Sequence, residues 1–322
     1  MGNAAEKETA LIAIGRFLQD EGYAFTTITP ASHALVNSRK AGEGSGTGRT
    51  LRDIFGWSLP FGPDAVPSRV LGWLGQAGEL ENASGLLRSK VRYSTLKGSL
   101  YVHSAFPTEA SDSVFFGPDT YRFADLIQRA IGSRAESPSL RVLDIGCGSG
   151  AGGLFLAGIL PSQGLRVFLS DINIRALRYA RVNAALCEKE GGRENVFALM
   201  GDTSRPIKGP FDIIISNPPY LVDAEARLYR NGGGVSGCEL SLRIVKESIP
   251  QLAPGGVLIL YTGTPVVEGR HVLREALAPI LAAAGIRHEY AEIDPDVFGE
   301  ELAHAAYASA DRLAAVSLVL HR

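Results

Sequence analysis

The stretch RVLDIGCGSGAGG, Arg141 to Gly153, decides the fold of this chain. Val142 and Leu143 read as a buried strand. Asp144, Gly146, Gly148 and Gly150 then read as a tight turn from that strand into a helix. Glycine suits such a turn because the backbone must come close to a ligand and some φ angles are positive. The first N–H groups of the helix point at that ligand.

Two ligand classes compete for the turn. Gly148, Gly150 and Gly153 satisfy the G-x-G-x-x-G spacing of dinucleotide-binding loops, a weak pattern by itself. Asp144 separates the two. An acid at the strand end repels a pyrophosphate and suits a cation. S-adenosylmethionine (SAM) carries a sulfonium and an α-ammonium and no phosphate. SAM is therefore the expected cofactor, ahead of a nicotinamide dinucleotide.

Working outward, a helix is expected at 119–132. Strands are expected near 166–170, 195–199, 211–216, 256–261, 286–293 and 314–320, with helices between most of them. That alternation predicts a mainly parallel sheet covered on both faces. Upstream, residues 5–20 have helical periodicity, with Leu11, Ile12, Ile14, Phe17 and Leu18 on or near one face. Short helices are expected near 30–38, 50–56 and 67–75, and AGEGSGTGRT at 41–50 reads as a flexible loop. Strands near 90–95 and 99–104 around a Lys-Gly pair predict a hairpin. The expected organisation is a small helical, winged-helix-like substrate-recognition domain at 1–110 and a catalytic domain at 111–322.

A chain of 322 residues has room for two domains, and 45% hydrophobic residues with 20% charged is an ordinary globular balance. The net charge of -2 argues against a broad basic surface and leaves room for a local patch. Cys147, Cys187 and Cys238 lack metal-ligand spacing and read as reduced thiols. The start, MGNAAEKETALIAIGRFLQD, carries acids and no long apolar run, so neither a signal peptide nor a lipid anchor is expected. The expected location is the cytoplasm.

Two further acids follow strands. Asp171, with Ile172 beside it, ends the second strand, where a carboxylate accepts from ribose hydroxyls. Asn173 reads as the cap of the next helix, and Asn183 as a residue on that helix's surface. Asp202 and Thr203 follow the third strand, in position to meet adenine.

PFDIIISNPPYLVD carries the chemistry. A buried strand ends in Asn217-Pro218-Pro219-Tyr220. Two prolines stiffen the backbone and leave carbonyls without local N–H partners. A free carbonyl and the Asn217 amide can accept both hydrogens of an NH2 group. Amide and aniline-type nitrogens are poor nucleophiles because the lone pair is delocalised; holding both hydrogens frees it. Tyr220 is expected to stack on a planar acceptor near the sulfonium.

Together DIGCGSG, Asp171, GDTSRP and NPPY resemble the class I SAM-dependent methyltransferases with an NPPY motif. Among these the chain is most similar to the glutamine-N5 methyltransferases of peptide release factors, whose relatives methylate base amino groups in DNA, rRNA and tRNA. The resemblance covers about residues 116–322. It implies a Rossmann-like α/β fold, a seven-stranded sheet with the last strand antiparallel, and direct transfer without metal. Pro118, Asp119 and Thr120 match a segment that closes the SAM site in release-factor enzymes, so Asp119 and Thr120 join the cofactor residues by resemblance. Gly117 and Tyr121 stand where those enzymes have arginine and glutamate.

The expected function is methyl transfer from SAM to a planar nitrogen of a macromolecule, first a protein glutamine. The partner is a protein or RNA acceptor, ribosome-associated or free, with no membrane. A base in rRNA, tRNA or DNA is the alternative, and a SAM-binding module without turnover is the alternative of another class. Arg88, Lys90, Arg92 and Lys97 form a basic stretch that favours nucleic acid, or a charged edge strand. Residues 231–245 read as an active-site flap or a plain loop, and 295–307 as a segment lining the acceptor site. His304 reads as packed or solvated.

Overall fold

The computed structural model describes residues 3–42, 46–131, 139–160, 164–187, 195–203, 207–223, 227–234 and 236–322. Part of the glycine-rich loop expected at 41–50 and part of GDTSRP lie outside them.

The N-terminal part places four helices before two hairpins. Helix α1 (Ala4–Asp20) starts at Asn3, whose side chain and that of Glu6 satisfy each other's backbone N–H groups. Its apolar face buries Leu11, Ile14, Phe17 and Leu18. Helices α2 (Pro30–Gly42), α3 (Leu51–Phe55) and α4 (Ser68–Ala77) follow. Strands β1 (Leu80–Ala83) and β2 (Leu86–Ser89) pair antiparallel. So do β3 (Val91–Leu96) and β4 (Ser99–Ser104), the hairpin that the Lys-Gly pair predicts; Lys97 and Gly98 both take positive φ at its turn.

The rest alternates as expected: α5 (Pro118–Ile131), β5 (Arg141–Ile145), α6 (Ala151–Ile159), β6 (Arg166–Asp171), α7 (Ile174–Leu186), β7 (Val196–Met200), β8 (Phe211–Ser216), α8 (Glu239–Ser248), β9 (Leu252–Val267), β10 (Arg270–His271), α9 (Val272–Ala284), β11 (Arg287–Asp294) and β12 (Arg312–His321). The sheet order is β11-β12-β9-β8-β5-β6-β7, with short β10 on β9. Strands β5 to β9 run parallel, and β12 inserts antiparallel between β9 and β11. This is a seven-stranded, Rossmann-like sheet with the last strand antiparallel, as the resemblance implies.

Side chains alternate between the two faces with the period of a strand. Val142, Ile213, Ile215, Val257 and Ile259 face α5, α6 and α7, whereas Leu143, Ile145, Ile214, Leu258 and Leu260 face α8 and α9. The chain leaves β5 in one direction to β6 and β7, and returns on the other side through β8 and β9. That reversal opens a crevice at the carboxyl ends of β5 and β8.

Helix α7 joins the two halves of the molecule. Leu177 and Ala180 pack on the sheet, while Ala176, Tyr179, Val182 and Leu186 enter a second core with Leu11, Ile14, Phe55, Val70 and Tyr93. Apolar residues on two sides of a helix require two partners. No described helix is long and apolar enough to cross a membrane.

Candidate active site

The register of the sheet sets the site. Ile145 pairs with Ser216, and the Ser216 hydroxyl donates to the Ile145 carbonyl at 2.8 Å. The glycine turn and the Asn-Pro-Pro-Tyr turn therefore leave the sheet side by side. One cleft is lined by Asp119, Thr120, Asp144, Gly146, Gly148, Asp171, Ile172, Asp202, Thr203 and residues 217–220.

Gly146 and Gly148 have φ of +67° and +53°. A Cβ at Gly146 would meet nothing within 4 Å, and one at Gly148 would meet only Val114, at 4.0 Å. These two glycines leave open a cradle that side chains would fill. Gly150 differs from the reading given to it. It does not line the cleft; at φ +78° it caps α6, and a Cβ there would press on Ala180, Leu154 and Leu169 at 3.2 Å.

The carboxylates of the cleft are held by the backbone. Asp171 accepts from Gly148 N and Asn173 N, both at 2.8 Å. Its carboxyl thus sets the turn as well as facing the cleft, and burial raises its pKa. Asp144 accepts from Gly153 N at 2.8 Å, and burial pushes its pKa up to about 7. Asp202 is exposed and paired with Arg243 at 2.6 Å, and Thr203 donates to Glu247. Ile172 stays 51% exposed at the cleft wall, an apolar surface for a flat ring.

Asp119 is placed differently from its reading as a cofactor ligand. Its oxygens accept from the hydroxyls of Tyr220 at 2.5 Å and Tyr261 at 2.8 Å. Burial raises its pKa. Thr120 accepts from Gly117 N at 3.3 Å. Tyr121, which departs from the release-factor pattern, accepts at its hydroxyl from Thr27 N and ties α5 to the N-terminal part.

Beside the glycine turn, the Asn217 side chain and the Pro218 carbonyl have no hydrogen-bond partner among the described residues. Pro219 lies between Pro218 and Tyr220 on the cleft wall. The glycine run after this turn is a packed structure rather than a free flap: Gly232 N donates to Leu221 O, Leu240 N donates to Gly232 O, and a Cβ at Gly237 would lie 2.2 Å from Tyr220 O. Phe298, from the 295–307 segment, does line the cleft, and His304 is exposed beside Glu301.

Several contributors were not visible in the sequence. Asn183 is fully buried instead of lying on a helix surface. Its amide bonds both Val102 N and Val102 O, and also Ser149 O in the glycine turn at 2.8 Å. Residues 108–115 cross both halves of the cleft: Asn173 Nδ2 donates to Asp112 O, Leu228 N to Ser111 O, and Tyr229 Oη to Thr108 O. None of these has a local signal, because each bond joins residues at least 34 apart. The basic stretch is not a basic surface either. Arg92 is 4% exposed and bonded to His33, and Lys97 is paired with Asp125.

Acids line the cleft beside the glycine turn, Asp144 and Asp171 among them, and Arg230, its one lining lysine or arginine among the described residues, is tied to Asp223 and Glu301. The open glycine cradle, the acid ending β6 and exposed Ile172 fit SAM. No described group of His, Cys, Asp and Glu could hold a metal ion.

The family model of the methyltransferase small domain matches residues 131–281. The release factor glutamine methyltransferase of Deinococcus radiodurans is 35% identical over 181 residues, 52% of this chain and 57% of that protein. That of Chlorobaculum tepidum is 41% identical over 175 residues, 50% of this chain and 56% of its own. The chain thus spans little more than half the length of the relatives it matches. Among solved structures, Trm5b of Pyrococcus abyssi aligns with 17% identity and a TM-score of 0.48 over 80% of this chain and 71% of that one. Over residues 131–281 the chain is thus similar to the methyltransferase small domain, and over about half its length it resembles the release factor glutamine methyltransferases.

Proposed function

We propose that the chain transfers a methyl group from SAM to a planar amide or amino nitrogen, first of all the side-chain N5 of a protein glutamine. One observation carries this reading: the Asn217 amide and the Pro218 carbonyl stand unpartnered among the described residues in the cleft, beside the glycine cradle. The names of the matched relatives support glutamine as the acceptor.

SAM, when bound, supplies a methyl group on an electrophilic sulfonium. Gly146, Gly148, Asp171 and Ile172 would hold it, with Asp202 and Thr203 in the same cleft, and Asp144 braces the turn through Gly153 N. Asn217 and the Pro218 carbonyl hold the two hydrogens of the acceptor NH2, which favours a pyramidal nitrogen with a free lone pair. Holding the reactants at this angle replaces a chance encounter with a positioned one. The alkylated nitrogen is acidic enough to lose its proton to water, so no strong base is needed at the turn.

Residues 1–110 are assigned to acceptor recognition, since Pro30 and Thr108 reach the cleft. The acceptor is a macromolecule, and burial of Arg92 with pairing of Lys97 favours protein over RNA. Three free cysteines support work in the reducing cytoplasm. Incubation with labelled SAM and fractionated lysate tests the assignment. Label should enter protease-sensitive material and map to glutamine. Label that ribonuclease removes would make the acceptor an RNA base.

A further inference from the structure

Tyr220 sits in a seat built by residues that no binding role explains. Strand β9 is buried without a break from Gly256 to Val266, and Gly263 interrupts it near its end. A glycine inside a strand weakens it and marks a close approach by another group. Here a Cβ would lie 2.2 Å from Cδ2 and 2.4 Å from Cε2 of Tyr220. The φ of Gly263 is not positive, so the position needs glycine for space and not for its backbone angle. The Tyr220 ring lies directly on the bare strand.

The far end of the ring is held as firmly. The Tyr220 hydroxyl donates to Asp119 Oδ2 at 2.5 Å, and the Tyr261 hydroxyl, from the same strand as Gly263, donates to Oδ1 at 2.8 Å. Arg122 lies 3.3 Å from Asp119 and pairs with Asp294 at 2.6 Å. Asp119 is 6% exposed, and its two oxygens are spent on protein hydroxyls. Buried hydrogen bonds that share one carboxyl hold both rings in place.

We propose that Asp119 and Gly263 form the socket that sets the Tyr220 ring against the acceptor nitrogen, and that Asp119 is a positioning residue and not a ligand of SAM. This rests on the methyl-transfer reading of the site. The socket belongs to α5 and β9, so the turn that presents the acceptor is held by elements on both sides of it.

Two double-mutant cycles on the full chain test the socket: Asp119→Asn with Tyr220→Phe, and Gly263→Ala with Tyr220→Ala. Three quantities are read: SAM affinity by calorimetry, single-turnover transfer at saturating SAM, and the thermal midpoint. Asp119→Asn and Gly263→Ala should each slow transfer on the order of tenfold, because a small displacement of a positioning group is costly. SAM affinity should stay within about threefold of wild type. Neither change should add to the loss already caused by its Tyr220 partner. Gly263→Ala should lower the midpoint of the wild-type chain and spare that of Tyr220→Ala, which empties the space the new methyl needs. Loss of SAM affinity in Asp119→Asn with turnover retained at saturating SAM would make Asp119 a cofactor ligand and overturn the proposal. Additive losses in both cycles would overturn it too. Should the wild-type chain methylate nothing, the functional reading falls, and the midpoint cycle still decides whether the seat exists.

Discussion

Asp144 shows how one buried residue links stability to ligand charge. The turn leaves it buried with Gly153 N as its donor, and burial lifts its pKa from 3.8 to about 7. Below pH 3.8 the residue is protonated in both states, and its contribution is complete. Between there and about pH 7 the unfolded chain has lost the proton that the folded chain keeps, so stability falls as pH rises. The thermal midpoint of the SAM-free protein should therefore decline over this window more than that of Asp144→Asn. Equal slopes would mean that Asp144 is ionised in the fold. At this scale the sequence was legible wherever chemistry dictates residue type. Glycines that must clear a ligand, an acid that ends a strand and a carbonyl before proline all announce themselves. Gly263, Phe298 and the engagement of Asp119 did not, because each depends on a side chain that arrives from another strand or loop.

Among the elements, α7 carries the most unexpected burden. A helix is expected between the strands near 166–170 and 195–199, and Asn173 caps it as expected. Periodicity could not show that two opposite faces are buried, nor that Asn183 bridges β4 to the glycine turn. Asn183→Ala would leave the Val102 backbone groups and the Ser149 carbonyl without their side-chain partner. An unsatisfied buried donor or acceptor costs about 1–3 kcal/mol. The variant should therefore lose on the order of 2–4 kcal/mol of stability, read by urea unfolding. It should also bind SAM more weakly, because the cradle loses its support from below. Wild-type stability and affinity would show that the N-terminal hairpin rests on the turn without holding it.

At the scale of the whole molecule, the mainly parallel sheet followed from the rhythm of strands and helices, whereas the strand order that opens the crevice did not. The expected division into two parts rested on a change of pattern along the chain, which carries no sign of the core shared across it. Leu11, Ile14 and Tyr93 meet Tyr179 and Val182 across a wide gap in sequence, which no local pattern records. The cleft lies where both parts converge: Pro30 and Thr108 from the first, the two turns from the second. The central claim is that this cleft orients a planar nitrogen for methylation. Asn217→Ala tests it most directly, in single-turnover transfer from labelled SAM to the acceptor found in lysate, beside calorimetry of SAM. The account predicts a loss on the order of a hundredfold in rate with SAM affinity nearly unchanged, since the amide acts on the nitrogen as it becomes pyramidal. Turnover near wild type in a folded Asn217→Ala chain would contradict it.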